Sequence, residues 1–231
     1  MSDKYLFAPE PQASVAVKGR EERFPVRRIF CVGRNYAAHA AEMGNEVDRE
    51  APFYFTKSPH GLCASGAEIA YPSGTEDCHH EMEFVVALGG DIAPGEGAAG
   101  MAQIVGYGCG IDLTRRDLQG QAKDKRRPWD LGKDFENAAI MGVLTEAAEF
   151  GEIGDQAITL DLDGVRVQEA TLAEMVHSVP EVLSHLSRFY RLGAGDLIYT
   201  GTPAGVGPVK PGSHLLGRID GLEPVELRIK A

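Results

Sequence analysis

The sequence predicts a single strand-rich α+β domain with a few short helices. Three observations support this prediction. Short apolar runs that end at glycine or proline recur along the chain, few segments have helical periodicity, and strands do not alternate with helices as in a parallel α/β protein. The chain has 231 residues, 28 of them glycine, which suffices for one large domain. We assign residues 1–25, which are rich in proline, to an N-terminal arm and residues 26–231 to the domain.

The first half of the chain contains five apolar or aromatic runs that predict strands: Ser14–Val17, Arg28–Val32, Phe53–Thr56, Glu83–Leu88 and Ile104–Leu113. The last run is glycine-rich, which predicts close packing against another backbone. Tyr36–Met43 is predicted to be a short helix, with Asn35 as its N-cap and Gly44 as its C-terminal stop. A second helix is predicted to begin at Thr114, because Asp117 follows three residues later as in a capping box.

The second half contains six further runs that predict strands: Ile140–Leu144, Ile158–Leu162, Val165–Glu169, Leu197–Thr200, Leu215–Ile219 and Val225–Ile229. Asp-Gly pairs at residues 163–164 and 220–221 predict two hairpins among them. A helix is predicted to begin at Ser178, with Pro180 in its first turn. The predicted apolar face of this helix comprises Val182, Leu183, Leu186, Phe189 and Tyr190.

Composition and charge exclude several classes of protein. The formal net charge of −11 argues against a nucleic-acid-binding protein, which usually presents a basic face. No run approaches the roughly 20 apolar residues that cross a bilayer, and the first residues lack the basic and apolar regions of a secretory signal. We therefore expect a cytoplasmic protein without a nucleic-acid or membrane partner. The four cysteines have no C-x-x-C spacing, so we expect them to be buried free thiols.

Three carboxylates form the first candidate site. Glu81 and Glu83 are two residues apart in a predicted strand and therefore share a face, where they repel each other unless a cation lies between them. Asp112 ends an apolar, glycine-rich run and is costly to bury without a partner. A divalent metal would satisfy all three, and oxygen ligands favour Mg²⁺, Mn²⁺ or Ca²⁺ over zinc. The alternatives are a hydrated edge for the two glutamates and a helix-capping role for Asp112.

Other residues offer acid–base chemistry and anion binding. His39 and Glu42 are separated by one helical turn, so the carboxylate can orient the imidazole as a general base, although a surface pair is the competing interpretation. Arg116 and Gln119 share a face of the predicted helix. Lys133, between two aromatic residues, is predicted to be partly buried and to need an anion nearby, unless it is an ordinary surface lysine.

These segments together resemble the fumarylacetoacetate hydrolase family. The similarity extends over about residues 28–215, and its segments occur in the family's order. The matching segments are Gly33–Tyr36 with His39 and Glu42, Phe55–Lys57, His80–Glu83, Ile111–Gln119, Pro128–Phe135 and Thr200–Gly207.

The resemblance implies a mixed β-sandwich roll, usually assembled as homodimers, in which residues 26–231 form the catalytic domain. It implies that Mg²⁺ or Mn²⁺ binds to Glu81, Glu83 and Asp112. It further implies that His39 and Glu42 activate water. The residues that match positions holding the substrate's carboxylate and oxo groups are Arg116, Gln119, Lys133 and Thr202, and we hypothesise a further catalytic role for Lys133, whose positive charge would stabilise developing oxyanions.

The activity that the resemblance implies is hydrolysis of a carbon–carbon bond in a small anionic 2,4-dioxo acid. The segment Phe24–Ile29 is most similar to hydrolases of gentisate breakdown that convert fumarylpyruvate to fumarate and pyruvate. The alternatives are oxaloacetate decarboxylation or short-chain acylpyruvate hydrolysis at the same site, or metal or ligand binding without turnover. Candidate cations for a distal substrate carboxylate are Arg34, Lys57 and the run Lys123–Arg127, among which the sequence does not choose.

Overall fold

The computed structural model describes residues 4–44 and 49–231. In these residues the strands are β1 (Ser14–Ala16), β2 (Arg23–Pro25), β3 (Arg28–Gly33), β4 (Phe53–Lys57), β5 (Leu62–Ala64), β6 (Ala67–Ile69), β7 (Cys78–His80), β8 (Met82–Leu88), β9 (Ile104–Asp112), β10 (Thr114–Arg115), β11 (Ala139–Met141), β12 (Thr145–Glu146), β13 (Ala157–Leu162), β14 (Val165–Thr171), β15 (Asp196–Tyr199), β16 (Gly207–Pro208), β17 (His214–Ile219) and β18 (Val225–Ile229). The α-helices are α1 (Ala37–Glu42), α2 (Gly97–Gly100), α3 (Arg116–Asp124), α4 (Asp130–Lys133), α5 (Ala147–Phe150) and α6 (Val179–Leu186). Short 3₁₀ turns occur at Pro59–Gly61, Met101–Gln103 and Leu172–Glu174.

Two mixed sheets form the body of the fold, which confirms the predicted strand-rich α+β class. The larger has the order β4-β3-β15-β8-β9-β11-β5, with β12 also paired to β9, and the smaller has the order β14-β13-β17-β18-β6. Most neighbours are antiparallel, but β3–β15, β5–β11 and β6–β18 are parallel. A third, three-stranded sheet, β10-β7-β16, lies beside them, and β1 pairs with β2.

The larger sheet is buried on both faces. Along β8, Phe84 and Val86 belong to the core between the two main sheets, whereas Val85 and Ala87 face a second apolar cluster. This double burial explains why the strand is a continuous apolar run rather than an alternating one. The second cluster includes Val15 and the side chain of Phe24 in β2, so the N-terminal arm covers that face. The predicted boundary at residue 25 stays a prediction.

The glycine-rich strand β9 packs closely against its neighbours, as predicted. A Cβ atom at Gly106 would lie 2.7 Å from the carbonyl oxygen of Thr145, and one at Gly110 would lie 2.5 Å from the Tyr199 ring. The four cysteines are buried free thiols, also as predicted. Within residues 4–44 and 49–231, no helix is both long and apolar enough to cross a membrane.

Several predicted boundaries were wrong because side chains have tertiary partners. Asn35 does not cap α1, whose N-cap is Tyr36. Thr114 lies in β10 and α3 begins at Arg116, while Asp117 accepts a hydrogen bond from Thr75 Oγ1 at 2.6 Å. The strand predicted to reach Leu144 ends at Met141.

Helix α6 follows Ser178, as predicted, and its start is stabilised by a capping box in which Ser178 and Glu181 bond reciprocally. It ends earlier than predicted, however, at Leu186. As a result Phe189 and Tyr190 lie beyond the helix, and Phe189 is 67% exposed rather than part of the apolar face.

Candidate active site

The three carboxylates converge because of strand register. Glu81 precedes β8 and Asp112 ends the antiparallel neighbour β9, and the N–H of Asp112 donates to the carbonyl oxygen of Glu81 at 2.8 Å. Glu83 lies two residues further along β8, opposite Gly110, and therefore on the same face as Glu81. One oxygen atom from each carboxylate lies within 4.8 Å of the other two, and all three side chains are buried.

Two buried lysines neutralise part of this charge. Lys133, 2% exposed, donates to Glu81 Oε2 and Asp112 Oδ2 at 2.7 Å each and to Thr114 Oγ1 at 2.6 Å. Lys57 Nζ lies 2.7 Å from Asp112 Oδ1 and also donates to the backbone carbonyl oxygens of Leu113 and Lys133. Lys57 is therefore enclosed behind Asp112, a position that argues against it among the candidate cations for a distal substrate carboxylate.

The carboxylates have different proton affinities in the metal-free protein. Burial alone would raise the pKa of Glu81, but Lys133 and Arg116 together lower it well below its usual value. Burial raises the pKa of Glu83 well above its usual value, and the charges of Asp112 and Glu81 raise it further. Among the described residues, no lysine or arginine forms an ion pair with Glu83, whose Oε2 accepts a hydrogen bond from the N–H of Gly201 at 2.8 Å.

The donor set fits a hard divalent cation. All three converging groups are carboxylates, the ligands that Mg²⁺ and Mn²⁺ prefer. The buried Oδ1 atom of Asp112 accepts no aligned hydrogen bond, although Lys57 lies close to it, so it retains a lone pair for a ligand bond. A cation would also relieve the repulsion that raises the pKa of Glu83.

His39 and Glu42 lie on α1, at the same edge of the larger sheet. His39 Nδ1 is 3.3 Å from Glu42 Oε2, and the carboxylate of Glu42 accepts a hydrogen bond from the N–H of Gly205 at 3.1 Å. Burial lowers the pKa of His39, an effect that the charges of Glu81 and Glu42 only partly oppose. The lowered pKa favours the neutral imidazole, which can accept a proton on Nε2 when Nδ1–H donates to Glu42.

The loop after β15 is held by buried amide side chains. Asn35 donates to the carbonyl oxygens of Thr200 and His177 at 2.8 and 2.9 Å and accepts from the N–H of His177 at 2.8 Å. Gln168 donates to Thr202 Oγ1 and accepts from the N–H of Met82, at 2.9 and 3.0 Å. These bonds fix Thr202 relative to the carboxylate cluster.

Arg116 is positioned by three partners at the start of α3. Its guanidinium donates to Glu81 Oε1 at 2.5 Å, to Gln119 Oε1 at 2.8 Å and to His79 Nδ1 at 3.3 Å. His79 in turn lies 2.9 Å from Asp77 through Nε2. Because His79 accepts from Arg116, the neutral Nε2–H tautomer fits this chain of hydrogen bonds.

A cleft of about 410 Å³, including its open mouth, lies over the carboxylates. Seven of the nine residues singled out from the sequence line it: His39, Glu81, Glu83, Arg116, Gln119, Lys133 and Thr202. Asp112 lies buried behind Glu81, and Glu42 contacts His39 from the side. Sequence reasoning did not identify Asn35, Thr114 or Gln168 as parts of the site. Asn35 and Thr114 lie in segments that match the family but were interpreted as helix starts, and the partners of Gln168 are distant in the chain.

Known proteins resemble this chain over nearly its whole length. The family model described as fumarylacetoacetate (FAA) hydrolase C-terminal matches residues 28–230. A fumarylpyruvate hydrolase of Ralstonia sp is 42% identical over 190 residues, which cover 81% of this chain and 98% of the relative. An oxaloacetate tautomerase of Escherichia coli (strain K12) is 38% identical over 199 residues, covering 86% and 90%. The crystal structure of fumarylpyruvate hydrolase from Pseudomonas aeruginosa, in complex with Mn²⁺ and pyruvate, superposes with a TM-score of 0.93 at 44% identity, covering 98% of this chain and 99% of that one.

Proposed function

The chain belongs to the fumarylacetoacetate hydrolase family, and from this premise we propose that it hydrolyses fumarylpyruvate to fumarate and pyruvate. The observation that carries the proposal is His39, paired with the carboxylate of Glu42, in the same cleft as three converging carboxylates. Hydrolysis of a 2,4-dioxo acid requires both a base that activates water and a site that stabilises negative oxygen atoms.

The residues divide these tasks. Arg116, Gln119 and Thr202 orient the carboxylate and the 2-oxo group of the substrate. His39 Nε2 takes a proton from a water molecule, and Glu42 stabilises the imidazolium that forms. The resulting hydroxide attacks the 4-carbonyl carbon, the C3–C4 bond breaks, and its electron pair passes to the pyruvate fragment, which is finally protonated at C3. One water molecule is consumed for each bond cleaved.

Glu81, Glu83 and Asp112 would hold a divalent cation, Mg²⁺ or Mn²⁺ before Ca²⁺, in agreement with the Mn²⁺ in the Pseudomonas aeruginosa structure. When bound, such a cation acts as a Lewis acid toward substrate oxygen atoms. Lys133 keeps Glu81 and Asp112 close together by bonding both, and its positive charge faces the cleft where oxyanions develop.

Turnover of fumarylpyruvate, with and without Mg²⁺, tests this proposal. We expect cleavage that a chelator abolishes and that Mg²⁺ or Mn²⁺ restores. His39→Gln should lower kcat about 10²- to 10⁴-fold, as for loss of a general base. His60→Gln is the matched control, because His60 is exposed and lies outside the cleft.

Two outcomes would contradict the proposal. Near-normal hydrolysis by the His39→Gln variant would show that the base lies elsewhere. If the wild-type enzyme turned over none of fumarylpyruvate, acetylpyruvate and oxaloacetate in the presence of Mg²⁺, the interpretation as a binding protein without turnover would replace it.

A second candidate is enolisation or decarboxylation of oxaloacetate, which the 38% identity with the Escherichia coli oxaloacetate tautomerase favours. Enolisation needs proton transfer and decarboxylation needs loss of CO₂, and neither reaction needs a water nucleophile. Enol absorbance and pyruvate formation distinguish them. If kcat/KM for oxaloacetate exceeds that for fumarylpyruvate by more than about tenfold, about 1.4 kcal/mol of transition-state preference, this candidate replaces the hydrolase.

The remaining expectations concern the setting of the enzyme. We expect a homodimer, which light scattering of the purified protein will test. A cytoplasmic location and a step in gentisate breakdown are consistent with the similarity to the Ralstonia fumarylpyruvate hydrolase and stay predictions.

A further inference from the structure

Among the residues that the structure describes, two cations in the cleft have no carboxylate partner. Arg34 and Lys123 both line it, and among residues 4–44 and 49–231 neither forms an ion pair with an aspartate or glutamate. Both are partly exposed, whereas Glu81, Glu83 and Lys133 are buried deeper in the same cleft. The two cations therefore lie on the solvent side of the carboxylate cluster.

A shared aromatic cluster holds these two cations. The guanidinium carbon of Arg34 lies 5.9 Å from the centroid of the Phe53 ring, and Lys123 Nζ lies 4.9 Å from that of Trp129. The rings of Phe53 and Trp129 meet edge to face with centroids 4.9 Å apart. Cation–π contacts of this kind limit the freedom of side chains that would otherwise be mobile in water.

The backbone at Arg34 contributes to this placement. Arg34 has a φ of 58°, in the left-handed region that is uncommon for arginine, where β3 turns toward α1. A Cβ atom at the preceding residue, Gly33, would lie 2.4 Å from the Phe53 ring and would displace that ring. The turn thus sets Arg34 against Phe53 at the edge of the cleft.

An anion would complete this arrangement. Burial lowers the pKa of Lys123, and the neighbouring charges of Arg116 and Arg34 lower it further, so the cations repel one another in the free protein. A carboxylate between Arg34 and Lys123 would remove that repulsion. Arginine can bind a carboxylate with two parallel hydrogen bonds, and lysine adds a point charge.

We propose that Arg34 and Lys123 bind the distal carboxylate of the substrate and make the enzyme selective for dicarboxylic over monocarboxylic 2,4-dioxo acids. This inference rests on the proposed hydrolase function. The other cations considered are in the wrong places: Lys57 is enclosed by Asp112, and Lys125–Arg127 are exposed and do not line this cleft. The two carboxylates of the substrate would then be bound at opposite ends, one near Arg116 and one between Arg34 and Lys123.

The test is the ratio of kcat/KM for fumarylpyruvate to that for acetylpyruvate, which lacks the second carboxylate. In Lys123→Gln this ratio should fall about 10- to 100-fold, the loss expected for one charge-assisted hydrogen bond. Arg34→Gln should lower it similarly, and Arg34→Lys should restore part of it. Lys125→Gln removes the same charge from the end of the same helix but outside the cleft, so its ratio should stay within about twofold of wild type.

A second readout uses fumarate, which carries the same distal carboxylate. Its inhibition constant should rise in Lys123→Gln and stay near the wild-type value in Lys125→Gln. If Arg34 variants fail to fold because of the left-handed backbone at that residue, the Lys123→Gln variant alone tests the inference. Lys123 is partly exposed near a helix end, so its replacement should leave the fold intact.

Failure of the inference differs from failure of the proposed function. If wild-type enzyme cleaves both substrates but Lys123→Gln lowers both kcat/KM values equally, or leaves the ratio unchanged, the distal carboxylate binds elsewhere and only this inference is overturned. If wild-type enzyme cleaves neither substrate, the hydrolase proposal itself is wrong and the inference falls with it.

Discussion

Glu42 links the proposed base to the loop that covers the site. Its carboxylate lies 3.3 Å from His39 Nδ1 and accepts a hydrogen bond from the N–H of Gly205. Through the first contact it raises the pKa of His39 and opposes the larger effect of burial, which lowers that pKa. Glu42 therefore controls both the orientation and the basicity of the imidazole.

Glu42→Gln should shift the pH dependence of the enzyme in a defined direction. Because Glu42 raises the pKa of His39, its neutral replacement lowers that pKa. The proposed mechanism requires neutral His39, so the acidic limb of the kcat/KM profile should move to lower pH while the plateau falls. The profile from about pH 4 to pH 8 measures this shift. A limb that moves to higher pH, or does not move, would show that another group controls it.

The side chain of Asn35 stabilises the fold itself. Asn35→Ala leaves two carbonyl oxygens and one N–H without their partner in a fully buried site, which should lower the free energy of unfolding by about 2–4 kcal/mol. Urea denaturation measures this loss. Gln12→Ala is the control, because the exposed Gln12 also donates to a backbone carbonyl and should lose less than about 1 kcal/mol. Equal losses in the two variants would contradict the argument.

The sequence identifies a site residue when the pattern that reveals it lies among its neighbours in the chain. The convergence of Glu81 and Glu83 follows from strand periodicity, and Asp112 is conspicuous because it ends an apolar run. The sequence could not separate Lys57 from the other candidate cations, because its partner, Asp112, is 55 residues away in the chain. Gln168 contacts Thr202 and Met82 only through the folded sheets, and no pattern near it indicates this.

At the scale of elements, the type of most segments was predictable but their ends were not. The hairpin of β13 and β14 follows from Asp163–Gly164, and the apolar run of β8 predicts a buried strand. Thr114 was predicted to begin a helix because threonine is a common N-cap. In the structure its hydroxyl accepts from Lys133, a tertiary bond that replaces capping and leaves Thr114 in β10.

Two glycine-to-alanine substitutions should have opposite effects. In Gly110→Ala the new methyl group would lie 2.5 Å from the Tyr199 ring and 2.6 Å from Val85, so the strand or its neighbours must shift, at a cost of about 1–3 kcal/mol. In Gly120→Ala, inside α3, the methyl group meets no atom within 4 Å and should stabilise the protein by about 0.5–1 kcal/mol. Thermal melting measures both. A stabilised Gly110→Ala variant would contradict the close packing of β9.

At the scale of the whole molecule, positive side chains are concentrated in the cleft although the protein as a whole is negatively charged. The protein carries a formal net charge of −11, which opposes the approach of a dianionic acid. The cleft nevertheless is lined by four cations, Arg34, Arg116, Lys123 and Lys133, against the two carboxylates of Glu81 and Glu83. Because salt screens charges beyond about 8 Å, this local set rather than the overall charge governs a ligand inside the cleft.

Metal binding should couple to pH through Glu83. Between the ordinary glutamate pKa and the raised pKa of the folded state, the buried carboxyl of Glu83 keeps its proton in the metal-free protein. In the unfolded chain the same carboxyl has lost its proton in this pH range. The native state then binds more protons, so this group's contribution to stability falls as pH rises above the ordinary glutamate pKa, until the raised pKa is reached. A divalent cation replaces the proton and removes that loss, and it also stabilises the native state by mass action.

The difference in melting temperature between protein with Mg²⁺ and protein with chelator should therefore widen as pH rises from about 5.5 to 8. Taking the difference cancels contributions from ionisable groups far from the site, which are the same with and without Mg²⁺. A sodium salt at equal ionic strength is the control and should leave the melting temperature of chelated protein nearly unchanged. In Glu83→Gln, which has no carboxyl to titrate, the Mg²⁺ effect should be smaller and should not widen with pH. A constant difference in the wild-type protein would mean that Glu83 is already ionised without metal, and that Lys133 and Lys57 neutralise the three carboxylates more completely than their contacts with Glu81 and Asp112 indicate.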